Sequence, residues 1–239
     1  MQQFSRTKFI IGQAGLELLN ASKVAVFGLG GVGSFAVEAL ARAGIGRLWL
    51  VDHDIVSMSN INRQLHATVN TVGQPKVELM KERVLTINPA AQIDAFQELY
   101  LPSTAHRLFP KDAHYIIDAI DNVTGKLSLA RQAWQTGTPL ISAMGTGNKL
   151  DPLKFKVADI FSTSTDPLAR VMRKQLRAIG VPHLKVVYSE EPPRKPQRSE
   201  SDEQVPGSIS FVPSVAGMIL AGEAVRYLLN PDSLPNEKR

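Results

Sequence analysis

The chain has 239 residues, of which 44% are hydrophobic and 21% charged, which allows one large α/β domain and is unlike the composition of collagens, coiled coils or wholly disordered proteins. It contains no cysteine, which excludes disulfides, zinc sites built on thiolates and a thioester carried on the chain itself. Its net charge of +5 is compatible with a polyanionic partner.

Hydrophobic periodicity predicts strands alternating with helices up to residue 144. The predicted strands cover 23–27, 46–52, 93–97, 114–118 and 139–143, and the predicted helices cover 12–22, 31–44, 72–88 and 122–136. This alternation predicts an α/β fold with a doubly wound, mostly parallel, Rossmann-like sheet. We expect residues 1–144 to form a nucleotide-binding core, because ligands of such sheets bind beyond the carboxyl ends of the strands.

The pattern changes in residues 145–239, which we expect to extend the same single domain, 1–239, toward the substrate. A strand is predicted at 155–160, helices at 167–179 and 215–229, and a mobile, proline-rich segment at 190–206. Ten Lys and Arg residues stand against four Asp and Glu residues from position 154 to 198. Four basic residues share one face of the 167–179 helix: Arg170, Arg173, Lys174 and Arg177.

Neither end of the chain predicts a membrane protein. The N-terminal residues lack the basic segment and apolar run of a secretory signal, so we expect a cytoplasmic protein. The longest apolar run, 211–222, is shorter than the roughly 20 residues that a membrane span needs. It predicts a buried core helix.

A glycine-rich loop follows the first predicted strand. Glycines at this place allow a tight turn and bring phosphate close to backbone N–H groups at the start of a helix. Asp52 ends the next strand, where a carboxylate can bind ribose hydroxyls. The loop therefore predicts a nucleotide site that contains Gly28, Gly30, Gly31 and Gly33.

Two basic residues downstream favour ATP over a dinucleotide. Breaking the α–β linkage of ATP builds charge on the leaving pyrophosphate, which requires fixed cations and usually Mg²⁺. Arg63 and Lys76 lie in the crossover after Asp52 and can supply those cations. Solvated charges on a helix face remain the alternative interpretation of both residues.

The motifs resemble those of the ubiquitin-activating-type adenylyltransferases, which include the activators of bacterial sulfur-carrier proteins. The matching segments are the glycine loop, 52–64, 72–76 and 118–122. The resemblance implies that Asn60, Arg63 and Lys76 contact the ATP phosphates and that Asp121 coordinates Mg²⁺, although Asp121 is also placed to cap the next helix. It adds Asp54 and Gln64 to the ATP site, and it implies that Arg6 reaches the ATP of a partner subunit in a homodimer.

The second half is similar to one subfamily, the tRNA threonylcarbamoyladenosine dehydratases. The similar segments are 144–152, 155–159, 166–174, 184–192 and 207–213. The resemblance implies ATP-dependent dehydration of N6-threonylcarbamoyladenosine in tRNA to its cyclic form, through an acyl-adenylate of the threonyl carboxylate. The basic helix is then a candidate tRNA surface, and a solvated helix face is the alternative.

Two other functions stay open at this point. The chain could activate a sulfur-carrier protein, although it lacks the paired CxxC motifs typical of such enzymes. It could also be a nicotinamide-dependent oxidoreductase or a non-catalytic nucleotide-binding scaffold, which would leave Arg63 and Lys76 unexplained. The sequence also leaves open whether a monovalent cation binds and whether sulfur-relay proteins act with the enzyme.

Overall fold

The computed structural model describes residues 2–195, 197 and 205–230. The helices are α1 Ser5–Ala21, α2 Gly33–Ala43, α3 Lys76–Ile87, α4 Ala105–Leu108, α5 Val123–Thr136, α6 Pro167–Ala178 and α7 Phe211–Leu229. The strands are β1 Lys23–Phe27, β2 Arg47–Val51, β3 Gln92–Phe96, β4 Tyr115–Asp118, β5 Leu140–Ala143, β6 Phe155–Asp159 and β7 Lys185–Ser189.

The strands form one seven-stranded sheet in the order β3-β2-β1-β4-β5-β7-β6. All neighbouring pairs are parallel except β6 and β7, which confirms the mostly parallel, doubly wound prediction. The chain runs outward from β1 to β3 and then returns to place β4 on the other side of β1. This reversal opens a crevice at the carboxyl ends of β1 and β4, where ligands of such sheets bind.

Strand β7 was not predicted from the sequence. It lies between β5 and β6, parallel to the former and antiparallel to the latter, and four of its five residues are buried. Because it has neighbours on both sides, the last third of the chain contributes an internal strand to the sheet. The backbone N–H of Met144, just after β5, donates to the carbonyl of Val187 at 2.8 Å.

Three helices begin at least four residues before or after their predicted start. Helix α1 starts at Ser5, ahead of residue 12, and is interrupted at Gly12, whose φ of 74° and ψ of 177° are not helical. Helix α3 starts at Lys76 because Pro75 is extended, with a ψ of 130°. Helix α7 starts at Phe211, since Pro213 is tolerated in a first turn where its missing N–H costs no hydrogen bond.

One helix of the described residues, α7, is long and apolar enough to cross a membrane, but half of its apolar window is buried inside the protein. It packs closely on α2, where a Cβ on Gly217 would lie 2.2 Å from the carbonyl oxygen of Val32. Val212, Ala216 and Leu220 are fully buried. These contacts agree with the core-helix prediction.

The predicted mobile segment 190–206 is described only in part, since residues 196 and 198–204 lie outside the described residues. Its first residues are held by hydrogen bonds. The backbone N–H groups of Glu190 and Arg194 donate to the carbonyls of Lys154 and Asn148 at 3.0 and 2.7 Å. The mobility of the segment stays a prediction.

Candidate active site

A cavity of about 530 Å³ lies at the carboxyl ends of the central strands. Ten of the twelve residues predicted to bind ATP line it. They are Gly28, Gly30, Gly31, Asp52, Asp54, Asn60, Arg63, Gln64, Lys76 and Asp121. The other two, Gly33 and Arg6, do not line it. The fold thus brings together residues that are up to 93 positions apart in the sequence.

The glycine loop has two kinds of glycine. Gly28 has a φ of 83°, and a Cβ at Gly33 would lie 1.8 Å from the carbonyl oxygen of Gly28, so both are required by the turn and its packing. A Cβ at Gly30 would lie 3.8 Å from its nearest neighbour, the side-chain nitrogen of Gln64, which leaves room for a ligand beside the backbone. Gly33 therefore shapes the loop without contacting the cavity.

Asp52 is buried at the end of β2, and both of its carboxylate oxygens accept backbone hydrogen bonds. Leu29 donates to one oxygen at 2.5 Å and Asp54 donates to the other at 2.8 Å. Burial raises the pKa of Asp52 above its ordinary value, although nearby Lys76 and the two N–H groups act in the opposite direction. The carboxylate is fixed beside the glycine loop, where a ribose could meet it.

Lys76 is the first residue of α3 and is 4% exposed. Its ammonium lies 2.6 Å from Asp54 Oδ2 at the cavity wall. Glu38 of α2 holds this helix in place by accepting hydrogen bonds from Arg83 of α3 at 2.6 and 3.0 Å. The buried position excludes the solvated-charge interpretation of Lys76.

A short 3₁₀ turn, Met58–Asn60, ends at Asn60 and lies three residues before Arg63. Asn60 Oδ1 accepts from the backbone N–H of Ser57 at 3.1 Å, which closes a capping box. The guanidinium of Arg63 donates to the carbonyl of Ser59 at 2.7 Å and to Asn62 Oδ1 at 2.9 Å. Arg63 is thereby directed along the cavity wall instead of into open solvent.

Beneath the cavity floor lies a buried ion pair that sequence reasoning missed. Lys126 Nζ donates to Asp118 Oδ2 at 3.1 Å, to Ser142 Oγ at 3.1 Å and to the carbonyl of Ala143 at 2.8 Å. Both charged side chains are 1% exposed. A signal was present, because Lys126 shares its helix face with apolar residues three, four and seven positions later.

Asp121 lies exposed at the cavity, between β4 and α5. The prediction that it could cap α5 is wrong, since the cap is Asn122, whose Oδ1 accepts from the N–H of Gly125 at 2.6 Å. Because the carboxylate of Asp121 caps no helix among the described residues, it is available to a metal ion. Mg²⁺ prefers oxygen ligands and is usually bound by carboxylates together with phosphate oxygens, so Asp121 is a suitable ligand beside a polyphosphate. Asp52, His53 and Asp54 also cluster, where one oxygen of Asp52 accepts from Leu29 and one oxygen of Asp54 accepts from Lys76.

Two buried polar side chains near the cavity, those of Gln64 and His66, have polar atoms without a hydrogen-bond partner among the described residues. Among the described residues, nothing bonds Gln64 Oε1 or either ring nitrogen of His66. Burial lowers the pKa of His66 to about 4, and the charges of Lys76 and Arg83 act in the same direction. His66 is therefore neutral at pH 7. Gln64 lines the cavity, so its amide is available to a ligand.

The loop after β5 is held by a second buried ion pair. Lys149 Nζ lies 3.0 Å from Asp166 Oδ2, and both side chains are at most 1% exposed. Asp166 also caps α6, since its Oδ1 accepts from the N–H of Ala169 at 2.9 Å. Glu191 accepts from the N–H groups of Leu150 and Asp151. These bonds fix the loop beside the cavity.

The four basic residues of α6 do not form one free surface. Arg173 donates to the carbonyl of Thr163 at 3.0 Å and also bonds its hydroxyl. The guanidinium of Arg177 lies 5.1 Å from the ring centroid of Phe161, a cation–π contact. Arg170 and Lys174 are exposed and make no side-chain hydrogen bond, ion pair or cation–π contact with the described residues. The candidate tRNA surface is therefore centred on these two.

Arg6 lies exposed on α1, away from the cavity of its own chain. Phe9 and Ile10 follow it on the same helix and are 82% and 87% exposed. Large apolar side chains this exposed are uncommon on a monomer surface and are typical of an interface.

Comparisons with known proteins agree with this architecture. The ThiF family model matches residues 4–239. The chain is 47% identical over 242 residues to tRNA threonylcarbamoyladenosine dehydratase of Bacillus subtilis, which covers 96% of this chain and 95% of the relative. It is 38% identical over 128 residues to molybdopterin-synthase adenylyltransferase of Escherichia coli, covering 54% and 51%.

Solved structures of the E. coli tRNA N6-threonylcarbamoyladenosine dehydratase have the same fold. The complex with AMP superposes with a TM-score of 0.90 at 33% identity, covering 96% of this chain and 95% of that chain. The complex with ATP gives 0.89 at 31% identity, covering 98% and 96%.

Proposed function

The chain belongs to the ThiF family, and we propose that it uses ATP to dehydrate N6-threonylcarbamoyladenosine in tRNA to the cyclic form. One observation carries the proposal: similarity to dehydratases extends over 96% of the chain, whereas similarity to the molybdopterin enzyme covers 54%. The second half of the chain, which distinguishes these two functions, therefore supports dehydration over activation of a sulfur carrier. We place the reaction in the cytoplasm, because its proposed substrate is tRNA.

The reaction has two steps. An oxygen of the threonyl carboxylate attacks the α-phosphorus of ATP, and the bond to pyrophosphate breaks. The carbamoyl group then attacks the acyl carbon, which closes a ring, breaks the bond to AMP and releases the proton of a carbamoyl N–H. No cysteine is needed, in agreement with the composition, because the attacking group is held within the same molecule at high effective concentration.

The residues of the cavity have separate roles in this proposal. Asp52 binds the ribose, and backbone N–H groups at the start of α2 bind phosphate. Lys76 and Arg63 stabilise the charge that grows on pyrophosphate. The side-chain amides of Asn60 and Gln64 bind neighbouring oxygens or N–H groups of the nucleotide. Mg²⁺ held by Asp121 would neutralise further phosphate charge.

The test is incubation with ATP, Mg²⁺ and tRNA that carries the threonylcarbamoyl modification. Nucleoside mass analysis should show the loss of one water per modified adenosine, together with release of AMP. A carrier protein with a C-terminal diglycine is the control substrate. Adenylation of the carrier with no change in the tRNA would contradict the proposal in favour of sulfur-carrier activation.

The exposed part of α6 should contact tRNA phosphates. Replacing Arg170 and Lys174 together by glutamate should weaken tRNA binding and reduce the slope of log K against log salt by about 1 to 2, because each lost phosphate contact removes roughly 0.7 to 0.9. Arg173→Glu is a poor choice, since it would also break the bonds to Thr163. The matched control is the pair Lys81→Glu and Lys111→Glu, which lie outside α6, on α3 and in the loop before β4. An unchanged slope would remove this surface from the proposal.

We also propose a homodimer in which Arg6 completes the cavity of the partner subunit. Its position on α1, beside exposed Phe9 and Ile10, supports this arrangement. Arg6→Ala and Lys76→Ala subunits, each inactive alone, should regain about a quarter of wild-type activity when mixed, because half of the dimers are mixed and each has one intact site. Sedimentation should show a dimer throughout. No recovery after subunit exchange would place Arg6 outside the partner's site.

A further inference from the structure

The cavity extends beyond the groups assigned to the nucleotide. Its nucleotide part lies over β1, β2 and β3, where Asp52 and the glycine loop stand. The remaining wall is formed by residues just after β5, by the first turn of α6 and by the stretch that leads into α7. It adjoins the nucleotide part, since a Cβ on Gly31 would lie 3.3 Å from Pro213. It is formed by five residues from three separate stretches, here called the acyl pocket: Met144, Thr146, Leu168, Ser208 and Pro213. None of them was predicted to belong to a site.

We infer that the acyl pocket binds the threonylcarbamoyl arm of the substrate, with Thr146 and Ser208 forming hydrogen bonds to its polar groups. This inference rests on the proposed function and specifies which residues recognise the modification. The pocket opens into the same cavity as Arg63 and Lys76, so a group held there has access to a bound triphosphate. The adenylated carboxylate must occupy a place of this kind.

The chemistry of the wall matches that of the arm. The arm carries a hydroxyl, N–H groups and a carbonyl on a short aliphatic skeleton. Within the described residues, neither side-chain hydroxyl, that of Thr146 or of Ser208, has a hydrogen-bond partner, and a hydroxyl can both donate and accept. Met144, Leu168 and Pro213 supply apolar surface. A wall without charged side chains also keeps water away from the acyl-adenylate, which would otherwise hydrolyse.

One asparagine, Asn148, joins the two stretches of chain that carry these hydroxyls. Asn148 has a φ of 58°, and its backbone N–H donates to the carbonyl of Gly207 at 2.7 Å. Its Oδ1 accepts from the N–H of Gly207, also at 2.7 Å. The Ser208 carbonyl in turn accepts from Asn62 Nδ2 at 2.9 Å, next to Arg63. Thr146 and Ser208 are thus positioned together, before any ligand binds.

The experiment compares Thr146→Val, Ser208→Ala and the double variant with wild type. Each single change should raise the KM for modified tRNA about fivefold, which corresponds to the loss of one hydrogen bond. The affinities for ATP and for unmodified tRNA should stay close to those of wild type, since this inference assigns the hydroxyls to the modification and not to the nucleotide. Thr146→Ser keeps the hydroxyl and should behave as wild type. Ser103→Ala, an exposed serine outside the cavity, is the control.

The outcomes separate this inference from the proposed function. An unchanged KM for modified tRNA in the double variant, with an active wild-type enzyme, would overturn the acyl pocket alone. A parallel loss of ATP affinity would assign the hydroxyls to the nucleotide and would also overturn it. If wild type leaves the modified tRNA unaltered, the proposed function fails and the acyl pocket fails with it. Thermal melts of each variant verify that the fold is retained.

Discussion

Lys76→Ala should lower kcat/KM for dehydration of modified tRNA by about 10²- to 10³-fold, the usual effect of removing one preorganised charge from a transition state. The ammonium is fixed at the first turn of α3 by Asp54 at 2.6 Å, so it does not have to reorganise when pyrophosphate leaves. The change also leaves the Asp54 carboxylate facing the phosphates without its partner. Single-turnover formation of AMP measures the effect on chemistry directly.

The control for this change lies one turn and a half further along the same helix. Lys81→Ala removes an identical charge from α3, but Lys81 does not line the cavity. It should leave kcat/KM near the wild-type value. Equal rates for wild type and Lys76→Ala, with intact folding by circular dichroism, would contradict the role of Lys76.

Lys126→Met should lower the free energy of unfolding by about 3 to 5 kcal/mol, because it leaves the Asp118 carboxylate buried without a counter-charge. The network ties the end of β4 to the end of β5, since Ser142 Oγ donates to the same carboxylate oxygen at 2.6 Å. Chemical denaturation followed by tryptophan fluorescence gives the value. The double variant with Asp118→Asn should recover part of the loss, because no charge then remains buried.

Lys156→Met is the matched control for the buried pair. Its ammonium pairs with Glu190 at 2.8 Å, but its side chain is 58% exposed, so water compensates for the lost partner. The unfolding midpoint should stay close to that of wild type. A Lys126→Met protein as stable as this control would show that the buried pair contributes little to the fold.

Local patterns predicted the glycine loop, Asp52, Arg63 and Lys76, and the family resemblance added the other residues of the predicted nucleotide site. The spacing from the glycine loop to Asp52 and on to Lys76 reflects one βαβ unit and the crossover after it, and such units have nearly fixed geometry. Periodicity identified β1 to β5 for the same reason. The boundaries moved where a single residue decided them, as Pro75 did for α3.

The second half of the site depends on contacts between distant segments, which periodicity does not report. The pairing of Lys149 with Asp166 and the bonds from Asn148 to Gly207 join loops that carry no regular pattern. The charge stripe of α6 was predicted as one face, but Arg173 is turned toward Thr163 by a neighbouring loop. Strand β7 was missed because its short run, Lys185–Ser189, shows no alternation of buried and exposed positions, since four of its five residues are buried.

The position of β7 between β5 and β6 limits where the chain can be cut into fragments that fold. A fragment ending at residue 144 would lack the strand that pairs with β5, and the N–H of Met144 would lose its acceptor on Val187. The exposed edge of β5 would then be open to pairing with other chains, a route to aggregation. Residues 145–239 are thus not a module that can be exchanged between relatives while residues 1–144 fold alone.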